Sequence, residues 1–157
     1  MKLIKYLSIV VMILGVAAVV IGGVFITEGI MKNSLIVDRM NIEKVSINLD
    51  PANPTVFTAI NNAEDAQKAA DTIAEHRRAI APTYQDLLNE GNGRFDPTNP
   101  THLAYAQAMN LENYLYMAVT AFGLIQVTMA NGAFMIIAGL AIIGGGFALY
   151  RFRNIKV

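Results

Sequence analysis

The 157-residue sequence contains no cysteine and no tryptophan, and only 15% of its residues are charged. Without cysteine, the chain cannot form disulfides, thiolate zinc sites, a cysteine nucleophile or a lipid-modified cysteine anchor. Charged residues make up about 25% of an average soluble protein, whereas here 54% of the residues are hydrophobic. This composition excludes a disordered chain, which combines low hydrophobicity with high net charge.

Near the N-terminus, the 22 residues Tyr6–Thr27 carry no charge. At about 1.5 Å per residue, a helix of this length crosses the roughly 30 Å hydrocarbon core of a bilayer. We therefore predict a transmembrane helix at residues 6–28. A cleaved signal peptide is the alternative, because Lys2 and Lys5 precede the apolar run. The apolar part of a signal peptide is only about 7–15 residues long, and no small-x-small cleavage site closes this run.

A second uncharged stretch covers the 38 residues Asn113–Tyr150. One helix of this length would measure about 57 Å, which is too long for a single crossing. Its first half contains tyrosine, threonine and glutamine, whereas its second half is nearly all apolar. We therefore predict the second span at residues 129–150, with the preceding part outside the membrane or at its interface. The alternative is two spans hinged at Asn131-Gly132, a favourable turn dipeptide.

The charges are distributed unevenly around these spans. All 12 acidic residues lie between Glu28 and Glu112, and both short tails, residues 1–5 and 151–157, carry only basic charges. Short flanks rich in lysine and arginine stay cytoplasmic. The distribution therefore predicts a cell-membrane protein with both termini in the cytoplasm and an extracytoplasmic part at residues 29–128.

Glycines recur at intervals of seven residues in both spans. A seven-residue interval returns to nearly the same face of a helix, and small residues on one face let helices pack closely in lipid. We predict a helix-packing surface formed by these six glycines: Gly15, Gly22, Gly29, Gly132, Gly139 and Gly146. No aspartate, glutamate, lysine, arginine or histidine lies within residues 6–27 or 129–150, which argues against a proton relay, voltage sensor or ion pathway.

The part between the spans shows helical patterns. Asn61 followed three residues later by Glu64 predicts a helix start, and Pro82 predicts its end after Ile80. The apolar face of this helix is formed by five residues: Ala66, Ala69, Ala70, Ile73 and Ile80.

Further elements surround this helix. Thr83 can cap a short helix that follows, and Asn99 with Pro100 predicts the start of the last helix. Alternating residues at 45–49 predict a short strand. The fold class is therefore mainly α, with two transmembrane helices, long extracytoplasmic extensions and a small helical extracytoplasmic domain.

The candidate chemistry is sparse. His76 and His102, with a nearby carboxylate such as Glu75, Asp96 or Glu112, could form a non-haem iron site, but the spacing carries no metal signature. We expect His76 and its neighbours Arg77-Arg78 to form a solvated helix face, and His102 to be an exposed first-turn residue. The aromatic set is expected to pack in the core or at an interface: Tyr105, Tyr114, Tyr116 and Phe122. We predict no catalytic residue, cofactor or metal.

Three segments carry a family resemblance: Thr83-Tyr84-Gln85-Asp86-Leu87, Leu103-Ala104-Tyr105-Ala106-Gln107-Ala108-Met109, and Ala118-Val119-Thr120-Ala121-Phe122-Gly123. With the glycine-rich final span, they resemble an uncharacterised family of small bacterial two-pass membrane proteins. Some members of that family are labelled aromatic ring-opening dioxygenase. The resemblance implies a two-pass topology and supplies no catalytic residue.

The sequence leads to one main hypothesis about function and two alternatives. We expect a non-enzymatic envelope protein that contacts the lipid bilayer and other membrane protein subunits or itself, as an accessory or scaffold subunit or a homo-oligomer, and that binds no nucleic acid. The first alternative is an envelope sensor or ligand-binding protein with an extracytoplasmic pocket. The second is an iron-dependent enzyme.

Overall fold

A computed structural model describes residues 2–43, 46–47, 58–90 and 93–152. The protein is mainly helical and contains two long apolar helices that are long enough to span a membrane, which confirms the coarse fold class. The element order is α1 (Lys2–Ile42), β1 (Ser46–Ile47), β2 (Thr58–Ala59), α2 (Ala63–Ile80), α3 (Tyr84–Glu90) and α4 (Pro100–Phe152).

The helix boundaries follow from local chemistry. The cap of α2 is Asn62, whose side-chain oxygen accepts a hydrogen bond from the Asp65 backbone N–H at 2.9 Å. The prediction of Asn61 as the cap was therefore wrong by one residue, because Asn62 and Asp65 have the same spacing as Asn61 and Glu64. The helix ends at Ile80 as predicted, since the residue before a proline is pushed into extended backbone.

The other two helix starts are as predicted. The Thr83 hydroxyl accepts from the Asp86 backbone N–H at 3.2 Å at the start of α3. Asn99 caps α4 by accepting from the Thr101 backbone N–H at 2.9 Å, and Pro100 occupies the first helical position. Helix α4 then continues through residues 131 and 132 without a break, so the alternative with a hinge at Asn131-Gly132 was wrong.

The strand prediction is confirmed for two residues. Ser46–Ile47 pairs with Thr58–Ala59 in antiparallel fashion, and the pattern of the sequence did not reveal the second strand. The remaining residues of the predicted strand, Val45, Asn48 and Leu49, lie outside the described residues.

The chain divides into two compact units. The first, the helix-pair unit, comprises Met1–Ser34 and Leu124–Val157 and contains parts of α1 and α4 only. The second unit, Leu35–Gly123, contains the strands, α2, α3 and the remaining parts of α1 and α4.

The core of the second unit is formed where α2 packs on α4. Its alanines Ala66, Ala69 and Ala70 are buried, as predicted, together with Phe122 on α4. Alanine keeps the helix backbones close, and burial of Phe122 contributes about 1.5–3 kcal/mol. A second cluster of Ala81, Leu87 and Tyr105 joins α3 to the first turns of α4.

Candidate functional site

In the helix-pair unit, only small residues are buried. Among the described residues of this unit, seven are buried, and every one of them is glycine or serine: Ser8, Gly15, Gly22, Gly29, Gly132, Gly139 and Gly146. Six of the seven are the glycines named from the seven-residue spacing. The spacing also includes Ser8, seven residues before Gly15, which the sequence reasoning missed because it counted glycine alone.

The two central glycine pairs define an antiparallel register between α1 and α4. A Cβ added to Gly15 would lie 2.7 Å from the carbonyl oxygen of Gly139, and a Cβ added to Gly22 would lie 2.5 Å from that of Gly132. Real Cβ atoms essentially never come closer than 3.0 Å to another heavy atom. The opposing atoms belong to the backbone, so a side chain at these positions requires the helices to separate.

At the two outer positions Gly29 and Gly146, the nearest atom to an added Cβ belongs to a side chain instead of the backbone. A Cβ on Gly146 would lie 2.7 Å from the Met12 Cγ and 3.2 Å from the Ser8 carbonyl oxygen, and a Cβ on Gly29 would meet the Met129 side chain. Methionine is flexible and can move aside. The Ser8 hydroxyl donates to the Ile4 carbonyl at 2.7 Å, so its burial leaves no unsatisfied polar group.

Other glycines of this unit do not contribute to the contact. Nothing lies within 4 Å of a Cβ added to Gly23, Gly144 or Gly145. These glycines adjoin Gly22 and Gly146 in the sequence, so spacing alone does not decide which of them face the other helix. In the structure, Gly22 and Gly146 lie in the contact. The contact therefore depends on position and does not simply reflect a high glycine content.

Most large apolar side chains of the helix-pair unit are exposed. Exposed fractions reach 61% at Ile13, 69% at Phe134 and 68% at Ile137. Only 11% of the most apolar window of α1 and 17% of that of α4 are buried. A core helix of a soluble protein would be mostly buried, so the two helices differ from such core helices.

In the second unit, a buried ion pair joins α2 to α4. The Arg77 Nε donates to the Glu112 Oε2 at 2.6 Å, and the Arg77 Nη1 donates to the Tyr105 hydroxyl at 2.5 Å. The side chains of Arg77 and Glu112 are only 13% and 11% exposed. The hydrogen bond between Arg77 and Glu112 raises the pKa of the Arg77 guanidinium above the usual range of arginine. The expectation of a solvated Arg77 was wrong, whereas Arg78 is exposed.

The aromatic set divides into packed and exposed members. Tyr105 and Phe122 are buried. Tyr105 also contacts the Tyr84 ring at 6.2 Å between centroids. Tyr116 is half-buried and donates to the Asp71 carboxylate at 2.9 Å, which raises the pKa of the Tyr116 hydroxyl. Tyr114 is 61% exposed, so it does not pack in the core of the chain.

The expectation of an exposed His102 was wrong, because the side chain is only 2% exposed. Its Nδ1 accepts from the Asp96 backbone N–H at 3.0 Å, and its ring lies 5.6 Å from the Phe95 ring. The loop before α4 folds back over the first turn, which covers a position that helical spacing alone would leave in solvent. His76 is exposed as expected.

The candidate iron ligands have other partners or lie in solvent. Glu112 is paired with Arg77, and the Asp96 carboxylate accepts from the Thr98 N–H and hydroxyl at 2.8 and 2.6 Å. Within the described ranges, no group of three or more histidine and carboxylate side chains is placed to hold a metal ion. The geometry therefore offers no observation in favour of the iron-dependent alternative.

Comparison with protein-family models, curated proteins and solved structures finds no match for this chain.

Proposed function

We propose that the chain is a two-pass integral membrane protein without catalytic activity, which acts through helix–helix contacts as an accessory or scaffold subunit or as a homo-oligomer. One observation carries this proposal. In the helix-pair unit, every buried described residue is glycine or serine, and most of the large apolar residues are exposed. This distribution is the reverse of a water-soluble helix pair, and it is typical of membrane helices, which associate through small residues while their large side chains face lipid.

The glycine contact also favours a retained first span over a cleaved signal peptide. Helix α1 supplies Gly15 and Gly22, which pack on the backbone of Gly139 and Gly132. Cleavage would remove half of this contact and leave the complementary glycine face of α4 without its partner. A signal peptide does not require such a matched surface.

The antiparallel register supports the proposed orientation. Gly146 near the end of α4 packs beside Ser8 near the start of α1, so the two ends lie on one side of the helix pair. These ends carry the basic tails, whereas the acidic residues all lie between Glu28 and Glu112. The positive-inside rule then assigns both termini to the cytoplasm and residues 29–128 to the extracytoplasmic side.

Part of α4 outside the proposed span offers an apolar surface for a partner. Tyr114 and Met117 are 61% and 66% exposed and lie one helical turn apart. They belong to residues 113–128, which carry no charge although they precede the proposed span at 129–150. An exposed aromatic residue and a methionine are typical of protein contact surfaces. This feature supports a subunit role.

Topology is tested by single cysteines, since the natural chain has none. In intact cells, Asn89→Cys should react with a membrane-impermeant thiol reagent, and Asn154→Cys should react only after lysis. Labelling of both before lysis, or of Asn154→Cys alone, would contradict the proposed orientation.

The subunit role is tested by purifying the protein from its native membrane in mild detergent and measuring its mass and composition. We expect a defined complex with another protein or with further copies of the chain. Met117→Glu should dissociate it, and the matched control Gln107→Glu, at another exposed position of α4, should leave it intact. Recovery of the wild type as a monomer would contradict the proposal.

A further inference from the structure

The last turns of α4 form an open groove on the surface of the helix-pair unit. Its volume is about 420 Å³, and the described residues that line it are Phe147, Ala148, Arg151 and Phe152. Phe147 and Phe152 are 57% and 68% exposed, and the Arg151 side chain is exposed as well. Because residues four apart lie one turn apart on a helix, Phe147 sits roughly 6 Å from Arg151 along the axis, on the side of the apolar span.

The described charged side chains at this end of the helix-pair unit are positive. Since Gly146 packs beside Ser8, the start of α1 with Lys5 lies at the same end of the helix pair as Arg151. Among the described residues of this unit, the acidic side chain is Glu28. Along α1 it lies about 35 Å from Lys5, far beyond the roughly 8 Å screening length at physiological salt.

We propose that this groove binds an anionic phospholipid, with the Arg151 guanidinium on the phosphate and the Phe147 and Phe152 rings against the glycerol and upper acyl chains. The proposal rests on the membrane insertion proposed above. Arginine forms paired hydrogen bonds with phosphate oxygens. A zwitterionic lipid carries a cation that Lys5 and Arg151 repel, so basic sites next to a span favour anionic headgroups.

The test uses the full-length protein in detergent mixed with equal amounts of phosphatidylglycerol and phosphatidylcholine that carry the same acyl chains. The lipids that remain bound after gel filtration are quantified by mass spectrometry. We expect phosphatidylglycerol to be enriched, and Arg151→Gln to lower this enrichment about fivefold, which corresponds to about 1 kcal/mol for one cation at a lipid surface. The matched control is Arg78→Gln, which removes the same charge from an exposed site in the second unit and should leave the enrichment unchanged.

Two outcomes would overturn the lipid site. The first is equal retention of both lipids by the wild type. The second is an enrichment that Arg151→Gln leaves at the wild-type level, because the Arg151 guanidinium would then not hold the lipid phosphate. Membrane insertion is scored separately by alkaline washing of membranes. Release of the protein there would overturn the insertion, whereas a retained protein without lipid preference would overturn the lipid site alone.

Discussion

The carbonyl oxygen of Gly139 occupies the space that a side chain on Gly15 would need, and the relation is reciprocal. Each glycine would place a Cβ 2.7 Å from the carbonyl oxygen of the other. Because the obstacle on both sides is backbone, neither helix can relieve the clash by a rotamer change. The closest approach of α1 and α4 is therefore set by the absence of two side chains.

We predict that Gly22→Leu destabilises the helix pair by at least the roughly 1–3 kcal/mol typical of overpacking. A Cβ at this position would lie 2.5 Å from the Gly132 carbonyl oxygen, so the helices must separate. The measurement is the thermal unfolding midpoint in detergent.

The matched control for this prediction is Gly23→Leu, one position along the same helix, where nothing lies within 4 Å of an added Cβ. It should unfold close to the wild type. Equal midpoints for Gly22→Leu and the wild type would contradict the packing role of the glycine.

Glu112→Ala should destabilise the second unit by about 3–5 kcal/mol, because it leaves the Arg77 guanidinium buried without its carboxylate. The side chains are only 13% and 11% exposed, so water cannot replace the lost partner easily. Chemical denaturation in detergent micelles measures the effect.

Two comparisons accompany this variant. Glu64→Ala removes one partner of the exposed pair with Lys68, and it should cost much less stability than Glu112→Ala, because water solvates the remaining ammonium group. Joint replacement of Arg77 and Glu112 by methionine and leucine should cost less than Glu112→Ala. A joint variant less stable than the single one would contradict this explanation.

The cap of α2 gives a position-specific prediction. Asn62→Ala should cost about 1 kcal/mol, because the Asp65 backbone N–H loses its acceptor. Asn61→Ala should cost less, since the exposed Asn61 side chain only donates to the Ala59 carbonyl. Denaturation midpoints compare the two variants, and a larger loss for Asn61→Ala would place the cap at Asn61.

Acidic pH should remove the stabilisation that the Asp96 carboxylate contributes to the loop before α4. Hydrogen bonds from the Thr98 hydroxyl and N–H lower the pKa of Asp96 in the folded state. A lowered folded-state pKa stabilises the protein above the unfolded-state pKa of about 3.9, and this contribution disappears as the pH falls through the folded-state value.

The measurement is the stability difference between the wild type and Asp96→Asn as a function of pH. The wild type should be more stable near neutral pH, and the gap should close below about pH 4. In a Thr98→Ala background, which removes the hydroxyl donor, the pH-dependent gap should shrink. A gap independent of pH would contradict the role of the carboxylate.

Local patterns predicted much of this structure, because they act over a few residues. The Asn99-Pro100 start, the end of α2 before Pro82 and the buried alanines of α2 each follow from neighbours within one or two turns. The error at Arg77 came from a contact outside this range. Arg77 is buried by Glu112, 35 residues away, and a contact at that distance leaves no trace in local spacing.

The sequence by itself determined which segments are apolar, which helix faces carry small residues, and how the charges divide between the two tails and residues 29–128. Those properties depend on composition and helical period alone. Only the tertiary structure decided that Gly15 meets Gly139, that Ser8 continues the glycine series, and that Gly23 stays outside it. The physical reason is that the helical period shows which residues share a face, but it does not show which residues of the other helix pack against that face. The partner depends on how α1 and α4 pack along their length, and the structure sets Gly15 against Gly139 and Gly22 against Gly132.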